Sequence, residues 1–481
     1  MRKNLSPWLH QLNKERRTKK LDTDITIDVA IVGSGIAGVS TAFFTLKHTN
    51  NNVAIVERFK LAHGATGHNA GQVVSYFERG FTSLVDEFGL RMAAEGEGAI
   101  EDAWQQLDEI YREAELDIPF SKFLGHAGLT NYAQVLWHLK ANMLRKKAGG
   151  LHERKILISD SADFVGDIPH EFRTLYTLVP KRHLMEVLET EMSEFVAVIS
   201  HKKGCINSAL FCQEVIAYLS KTYPSRFALY EHTPVHKLLL RSDHAILDAE
   251  SNTVRATRVV LCTNGFEGLH ILNETGLDID AKYHHLIHGK VGYMSGYLET
   301  MNKEPAAMSY YVDPIVGIES AYFYLTRRPY EYETGKKHNL ISVGGPEMDL
   351  EESTPYAFED DFPDEAEEKI DEFVRKVYNI DPNKKIDYIF TWHGLMGYTK
   401  NGVRLIGPEP QNSVLLYNLG CNGVGILPSI HGGRKIAAFL DEAILPPSIF
   451  DVPLREKYPI ERMRRFVEGT RGSAVEISES V

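Results

Sequence analysis

The stretch "ITIDVAIVGSGIAGVSTAFFTLKHTNNNVAIVE", residues 25–57, constrains the fold more than any other part of the chain. It opens with a short β-branched run, as a strand buried on both faces requires. Gly33, Gly35 and Gly38 follow at G-x-G-x-x-G spacing, and Ile36, Val39, Phe43 and Leu46 then recur at helical intervals. "NVAIVE" is a second buried strand, so the segment predicts a β-α-β unit with a right-handed crossover. Glu57 ends that strand, 19 residues after Gly38. Motif and context together predict a dinucleotide site. Gly33 permits the tight turn, Gly35 lets backbone approach a pyrophosphate, and Gly38 lets the helix pack on the strand. The pyrophosphate rests on the helix start at Ile36 and Ala37. Glu57, with Arg58 beside it, meets the adenosine ribose.

The chain has 481 residues, enough for two to three domains. Its net charge of -12 disfavours nonspecific nucleic-acid binding, and the basic run "KERRTKK" reads as a solvated arm. The cysteines 205, 212, 262 and 421 form no C-x-x-C pair and no disulfide framework, which fits a reducing compartment. The first 24 residues lack the apolar core of a signal peptide, and no membrane span is expected. A cytoplasmic location follows as an expectation.

Further on, "INSALFCQEVIAYLSKTYP" reads as a helix. "FALYEHTPVHKLLL", "HAILDAE" and "ATRVVLCTNGF" read as a meander returning to the first sheet. The aromatic runs "KVGYMSGYL", "AYFYLTRRPY" and "NLISVGG" suit an antiparallel sheet. In "PDEAEEKIDEFVRKVYNIDP" the acids fall in the first turn, and Ala366, Ile370, Phe373, Val374 and Val377 make a buried stripe. "SVLLYNLGCNGVGILPSIHGGRKIAAFL" reads as strand, glycine turn and helix.

Four stretches identify the chain as resembling the D-amino-acid oxidase family of FAD-dependent oxidoreductases. Within that family it resembles the branch of glycine oxidase, sarcosine and dimethylglycine dehydrogenases and γ-glutamylputrescine oxidase. The stretches are "DVAIVGSGIAGVSTAFF"; "GATGHNAGQ"; "TPVHKL" with "RVVLCTNGF"; and "WHGLMGYTKNGVRLIGP" with "NLGCNGVGILPSIHGGRKIA". They span roughly residues 25 to 445. The resemblance implies FAD as cofactor. Ala65, Thr66, His68, Asn69, Ala70, Gly71 and Gln72 would line its ribityl chain and ring, and Gly394 would lie beside it. Val235 would meet the adenine through its backbone, and Thr263 and Gly265 the adenosine diphosphate. Gly423, Val424, Gly425 and Ile426 would aim a helix start at the flavin pyrimidine, where negative charge gathers on reduction.

The fold class expected is α/β and α+β, a Rossmann-like FAD-binding domain interleaved with an antiparallel-sheet substrate domain. The arm is 1–24, the FAD-binding domain 25–124, 190–285 and 386–447, the substrate domain 125–189 and 286–385, and a C-terminal extension 448–481. The activity implied is oxidation of a C–N bond in an amine or amino acid, by hydride transfer to flavin N5 and hydrolysis of the imine. Oxygen or an electron-transfer acceptor reoxidises the cofactor, and homo-oligomers stay open. Two alternatives stand beside it: a 2-hydroxy-acid or polyol dehydrogenase with His393 or His68 as base, and a flavin-binding subunit without its own turnover.

Relatives that oxidise amino acids often carry an arginine clamp where this chain has Met396. Arg327, Arg328 and Arg404 are the candidates to substitute for it, and Tyr322 and Tyr324 are candidates for a substrate wall. His68, His393, Tyr324 and Arg327 are the catalytic candidates. His68 aligns with an arginine of one family pattern, as a polar neighbour of the flavin. It aligns equally with the histidine that is bonded to the flavin in another pattern, so a covalent link stays open. "HHLIH" (His284, His285, His288) lacks a carboxylate partner, and no metal is expected. Cys421 reads as packing.

Overall fold

The structure is a computed structural model that describes residues 3–265, 268–276, 278–311, 323–350 and 356–453. Its mixed α/β and α+β architecture rests on two sheets. In the first, Ile25–Val32 lies at the centre, parallel to Val53–Val56 on one side and to Asn252–Leu261 on the other. Residues 29–32 are fully buried, as the apolar run demands. The helix Ile36–His48 crosses between the two parallel strands. Asn412–Leu419 pairs in parallel with residues 259–261 and carries Leu405–Glu409 as a hairpin. The meander is confined to Lys237–Leu240, Ala245–Ala249 and Asn252–Leu261. Phe227–Tyr230 is not part of it: it adds to the far edge, parallel to Val53–Val56. The helix before it brings that strand back across the sheet.

The helix Ile426–Leu440 packs on Ile36–His48 closely enough that a Cβ on Gly433 would lie 2.7 Å from the Thr41 nitrogen. The helix Ser208–Thr222 starts at Asn207, whose side chain accepts the Ala209 and Leu210 N–H groups.

The second sheet holds Ile287–Glu299, Phe323–Glu333, Lys336–Asp349 and Phe390–Thr399 in antiparallel pairing. Sheet membership departs from the sequence windows in four places. Gln72–Val74, Phe120–Leu129, Ala197–Ile206 and Phe390–Thr399 all pair in this second sheet. Three of them adjoin a first-sheet strand on one side in sequence: Val53–Val56 precedes Gln72–Val74, Phe227–Tyr230 follows Ala197–Ile206, and Leu405–Glu409 follows Phe390–Thr399. A helix spanning Phe81–Glu113, interrupted at Gly89 with φ +77°, covers part of the molecule that no sequence pattern had marked. The helix Asp364–Tyr378 buries the expected stripe against the second sheet, with Pro363 at its cap and Asn379 closing it in a left-handed conformation.

The N-terminal arm is not solvated throughout. Trp8 is fully buried, Leu5 N–H donates to the Thr391 carbonyl, and Arg16 pairs with the buried Glu231. Among the described residues, no helix is long and apolar enough to cross a membrane.

Candidate active site

Gly33 turns the chain out of the first strand at φ +103°, a conformation open to glycine. A Cβ there would sit 2.8 Å from the Cys262 carbonyl oxygen, so the turn bearing Thr263 and Gly265 lies against the first glycine. A Cβ on Gly38 would collide with the Gly33 carbonyl oxygen, and one on Gly35 would lie 2.9 Å from Thr66 Oγ1. That hydroxyl oxygen accepts the Ile36 N–H at 2.9 Å, and Ala37 is buried behind it. It answers one of the orphan donors at the helix start and keeps its own proton to give. Glu57 is held in place. Its Oε2 accepts the Ser34 N–H and hydroxyl at 2.8 Å each, and Oε1 accepts the Phe59 N–H at 2.9 Å. The Arg58 guanidinium lies 4.9 Å from the Phe59 ring. The Glu57 carbonyl accepts the Thr233 N–H at 2.8 Å, which brings Val235 to the same strand end.

The 64–72 turn is organised by residues far away in sequence. Ala65–Gly67 forms one 3-10 turn with Thr66 buried. Asn69 is a scaffold for this turn. Its Nδ2 donates to the Thr66 carbonyl and Ser208 Oγ, and its Oδ1 accepts the Gly71 N–H at 2.7 Å. The Asn69 carbonyl accepts the indole N–H groups of Trp8 and Trp392. Gly71, at φ +67°, lies so close to Trp8 that a Cβ would meet the indole at 2.8 Å. Ala70 packs half-buried on the core, and Ser6 donates its hydroxyl to the Gly67 carbonyl. This support was missed in the sequence; the apolar Pro7–Trp8–Leu9 patch in a polar arm was its signal.

His68 Nδ1 lies 3.0 Å from the Gly64 carbonyl. A carbonyl only accepts, so Nδ1 carries the proton and Nε2 the lone pair. The ring stacks on Phe358 at 5.2 Å, and its backbone lies against Gly394, where a Cβ would fall 2.5 Å from the His68 carbonyl oxygen. Burial pushes the imidazole down to about 4, against the pull of the Gly64 bond, and His63 and His393 add to the fall.

Alternation along the second sheet decides which candidates reach one face. On Phe390–Thr399, Trp392, Gly394, Met396 and Tyr398 share a side. His393 points to the other. There its Nε2 donates to the Asp360 carbonyl at 2.9 Å and its Nδ1 accepts from Tyr356 at 3.0 Å. The catalytic assignment of His393 is therefore corrected: both ring nitrogens are committed, and neither is free to act as a base. On Phe323–Glu333, Tyr324 lies on the side of Gly344, where a Cβ would fall 2.6 Å from its hydroxyl. Phe323 faces away and stacks on Phe373 at 4.1 Å. Arg327, three residues after Tyr324, also faces away. It is bidentate to Glu189 at 2.7 Å twice and donates from Nε to the Glu304 carbonyl. Its catalytic assignment is corrected: residues three apart in a strand stand on opposite faces. Arg404 is spent on Asn418 and the Gly420 carbonyl, and Arg328 is buried with its guanidinium 5.0 Å from Trp8. Tyr322 lies outside the described residues.

Glu78, Lys203, Glu347 and Tyr398, which went unnoticed in the sequence, converge with residues already named there. Gly423, at φ +74°, lies beside Glu78 and Tyr398: a Cβ there would meet Glu78 Cγ at 2.7 Å and the Tyr398 hydroxyl at 2.8 Å. Val424, Gly425 and Ile426 follow as the start of the last helix, which has no side-chain cap. Burial first, then the charges of Glu347 and Glu78, raise the phenols of Tyr324 and Tyr398. Lys203 is fully buried near Gln72, its Nζ 3.5 Å from Gln72 Oε1. These residues come from separate segments, and no spacing joins them. Of "HHLIH", His288 lies 5.9 Å from the Tyr398 ring, while His284 clusters with His270 and Asp280 on the surface, their ligand atoms within 4.8 Å of one another. The His285 side chain lies outside the described residues. Cys421 Sγ meets Asn264 Nδ2 at 3.7 Å.

The family model described as FAD-dependent oxidoreductase, DAO, matches residues 28–439. The chain belongs to the DAO family. It is 32% identical to the γ-glutamylputrescine oxidoreductase of Escherichia coli K12 over 81 residues, 17% of this chain and 19% of that protein. The fold is similar to that of glycine oxidase from Geobacillus kaustophilus, at TM-score 0.64 and 15% identity, over 90% of this chain and 99% of the other. It is also similar to L-α-glycerophosphate oxidase from Mycoplasma pneumoniae with FAD bound, at TM-score 0.60 and 15% identity, over 87% and 95%.

This DAO-family protein is an FAD-dependent oxidoreductase, and its own residues fit the cofactor. The glycines clear backbone at the helix start, the Thr66 hydroxyl stands beside it, and the Glu57 carboxylate is fixed at the strand end. An uncapped second helix start, at Gly425, supplies the positive end of a dipole.

Proposed function

We propose that this enzyme oxidises the C–N bond of an amine to an imine, which water then hydrolyses to a carbonyl compound and a free amine or ammonia. The bound flavin supplies a two-electron acceptor for the hydrogen on the α-carbon. The observation that carries the reading is the state of the two histidines. Oxidation of a hydroxyl group needs a base for its proton, and a neutral amine needs none. His393 has both nitrogens committed, and His68, held down to about 4, is a weak base. The Glu78 carboxylate can accept a hydrogen bond from the neutral amine, and Tyr324 and Tyr398 wall the substrate space. Thr66, Glu57 and the glycines hold the dinucleotide; the 64–72 turn, kept in shape by Asn69 and Trp8, orients the ring. Oxygen or a protein acceptor takes the electrons afterwards.

His68 meets the flavin edge through Nε2, since Nδ1 is spent on Gly64. A neutral, unprotonated Nε2 is the form that a covalent bond to the ring methyl requires. The test has two readouts. Anaerobic mixing with amines should bleach the yellow flavin, while 2-hydroxy acids should not; bleaching by hydroxy acids alone overturns the amine reading, and no bleaching by either supports a non-turnover subunit. Acid precipitation should leave flavin in the pellet on the His68 peptide. Full release into the supernatant makes the His68 contact noncovalent.

A further inference from the structure

The interior face of the strand Ala197–Ile206 carries an excess of hydrogen-bond donors that the amine reading does not use. His201 and Lys203, two residues apart, share that face. A Cβ on Gly125 would meet the Lys203 Cγ at 2.6 Å, so the glycine makes room for the lysine stem. The Lys203 ammonium is buried, yet its contacts are long: 3.3 Å to Ser309 Oγ and 3.5 Å to Gln72 Oε1. Neither ring nitrogen of His201 has a hydrogen-bond partner, and Tyr76 stands edge-on to the ring at 5.1 Å. The Arg154 guanidinium lies 5.4 Å from the Tyr76 ring.

Arg154 makes no side-chain hydrogen bond among the described residues, and its one carboxylate neighbour is Glu97 at 3.9 Å. That carboxylate is already taken by Arg145, which also reaches Glu101. Buried donors without acceptors are costly, and buried cations more so. Arg154 and Lys203 offer many N–H donors, and the acceptors close to them are few: one hydroxyl and one amide oxygen for Lys203, and the shared Glu97 carboxylate for Arg154. A further carboxylate, with four lone-pair sites, would complete the set. Glu78 lies beyond Lys203 on the side of Gly423, so negative charge faces the helix start and positive charge faces the sheet.

We propose that this face binds a carboxylate carried by the substrate at the end remote from the carbon that is oxidised, with Lys203 and Arg154 as charged partners and His201 as a neutral donor. The substrate class is then an ω-amino carboxylate, its amine toward Glu78 and its acid toward the sheet. The inference rests on the amine reading. It also explains how the chain manages without an arginine at Met396: the acid is held elsewhere. Burial lowers the Lys203 ammonium to about 8, with Glu78 opposing and Arg154 assisting, so an arriving carboxylate would restore it to full charge.

The flavin-loaded full chain is tested with straight ω-amino acids of increasing length against n-alkylamines of matched length, by anaerobic bleaching and steady-state rates. At one optimal length the carboxylated member should have a kcat/KM about tenfold or more above its alkylamine, carried mostly by KM. Arg154→Gln and Lys203→Met should each cut that preference about tenfold. Lys155→Gln, exposed on the opposite face of the neighbouring strand, should keep it. Equal rates for both series, or a preference that survives both variants, overturns the subsite. If neither series bleaches the flavin, the amine reading has failed, and the subsite is judged by binding alone. Aliphatic monocarboxylates should then perturb the wild-type flavin spectrum and bind at least tenfold more weakly to both variants; no perturbation in the wild type overturns it.

Discussion

The two ends of the site are built in different ways. At the nucleotide end, Gly33, Gly35, Gly38 and Glu57 come from one continuous segment, and backbone contacts set their positions. At the proposed substrate end, Glu78, Lys203, Tyr324, Glu347 and Tyr398 come from five separate segments, four of them strands of the second sheet. The 64–72 turn lies between the two kinds: a local motif, but one kept in shape by Trp8, Ser208 and Trp392. Local construction makes an end rigid and specific for a shared cofactor. Assembly across strands lets the substrate end vary without disturbing that cofactor.

The sharpest way to break this contrast is Gly38→Ala. The new methyl meets a backbone carbonyl that cannot move aside, so the helix must leave the strand at a cost of about 3 kcal/mol or more. The expected product is colourless or insoluble. A soluble chain with a full flavin spectrum would show that the nucleotide end is less rigid than its contacts require.

Trp8→Ala probes the intermediate turn. Loss of a fully buried indole that holds Asn69 and Gly71 should cost about 3–5 kcal/mol, seen as a fall in Tm, and flavin should dissociate more readily. An unchanged flavin Kd would place the arm outside the cofactor site.

Arg327→Gln separates structure from substrate recognition. Its partner Glu189 is partly exposed, so the cost should be about 2 kcal/mol, below the ~3–5 kcal/mol of a fully buried pair. KM per folded enzyme should hold. The pH dependence has a definite sign. Burial would raise the Glu189 carboxyl, but Arg327 and Lys303 outweigh it and hold the group below its usual value. A carboxyl depressed in the folded state contributes stability above its unfolded value of about 4.3, and that contribution is lost as pH falls through the folded value. Denaturation scans should therefore show the gap between wild type and variant closing under acid conditions below about pH 4. A gap that widens there would reject the ion pair.

Tyr324→Phe should give the smallest effect: a rise in substrate KM of about 2- to 10-fold with the flavin fully bound. An unchanged KM would move the substrate wall off the Gly344 side.

Much of the cofactor end was legible in the residues. The β-α-β segment, Glu57 and the turn before the last helix are local patterns, and each has one backbone solution. The helix Asp364–Tyr378 was equally legible, because its stripe and its charged ends repeat at helical spacing. Strand alternation was also in the sequence, and applied to Tyr324 and Arg327 it would have separated them. Other assignments depended on partners hundreds of residues away. His393 could be seen as a histidine near a glycine, but only Tyr356 and Asp360 show that both nitrogens are used. A lone lysine such as Lys203 looks like any surface lysine until Gly125 and Ser309 enclose it. The sequence by itself determined where the dinucleotide binds, because a tight turn, a helix start and a strand end are decided by neighbours along the chain. Only the tertiary structure decided which charged groups are buried together beside the proposed substrate space, because burial and pairing are properties of groups brought together across strands, and no spacing encodes them.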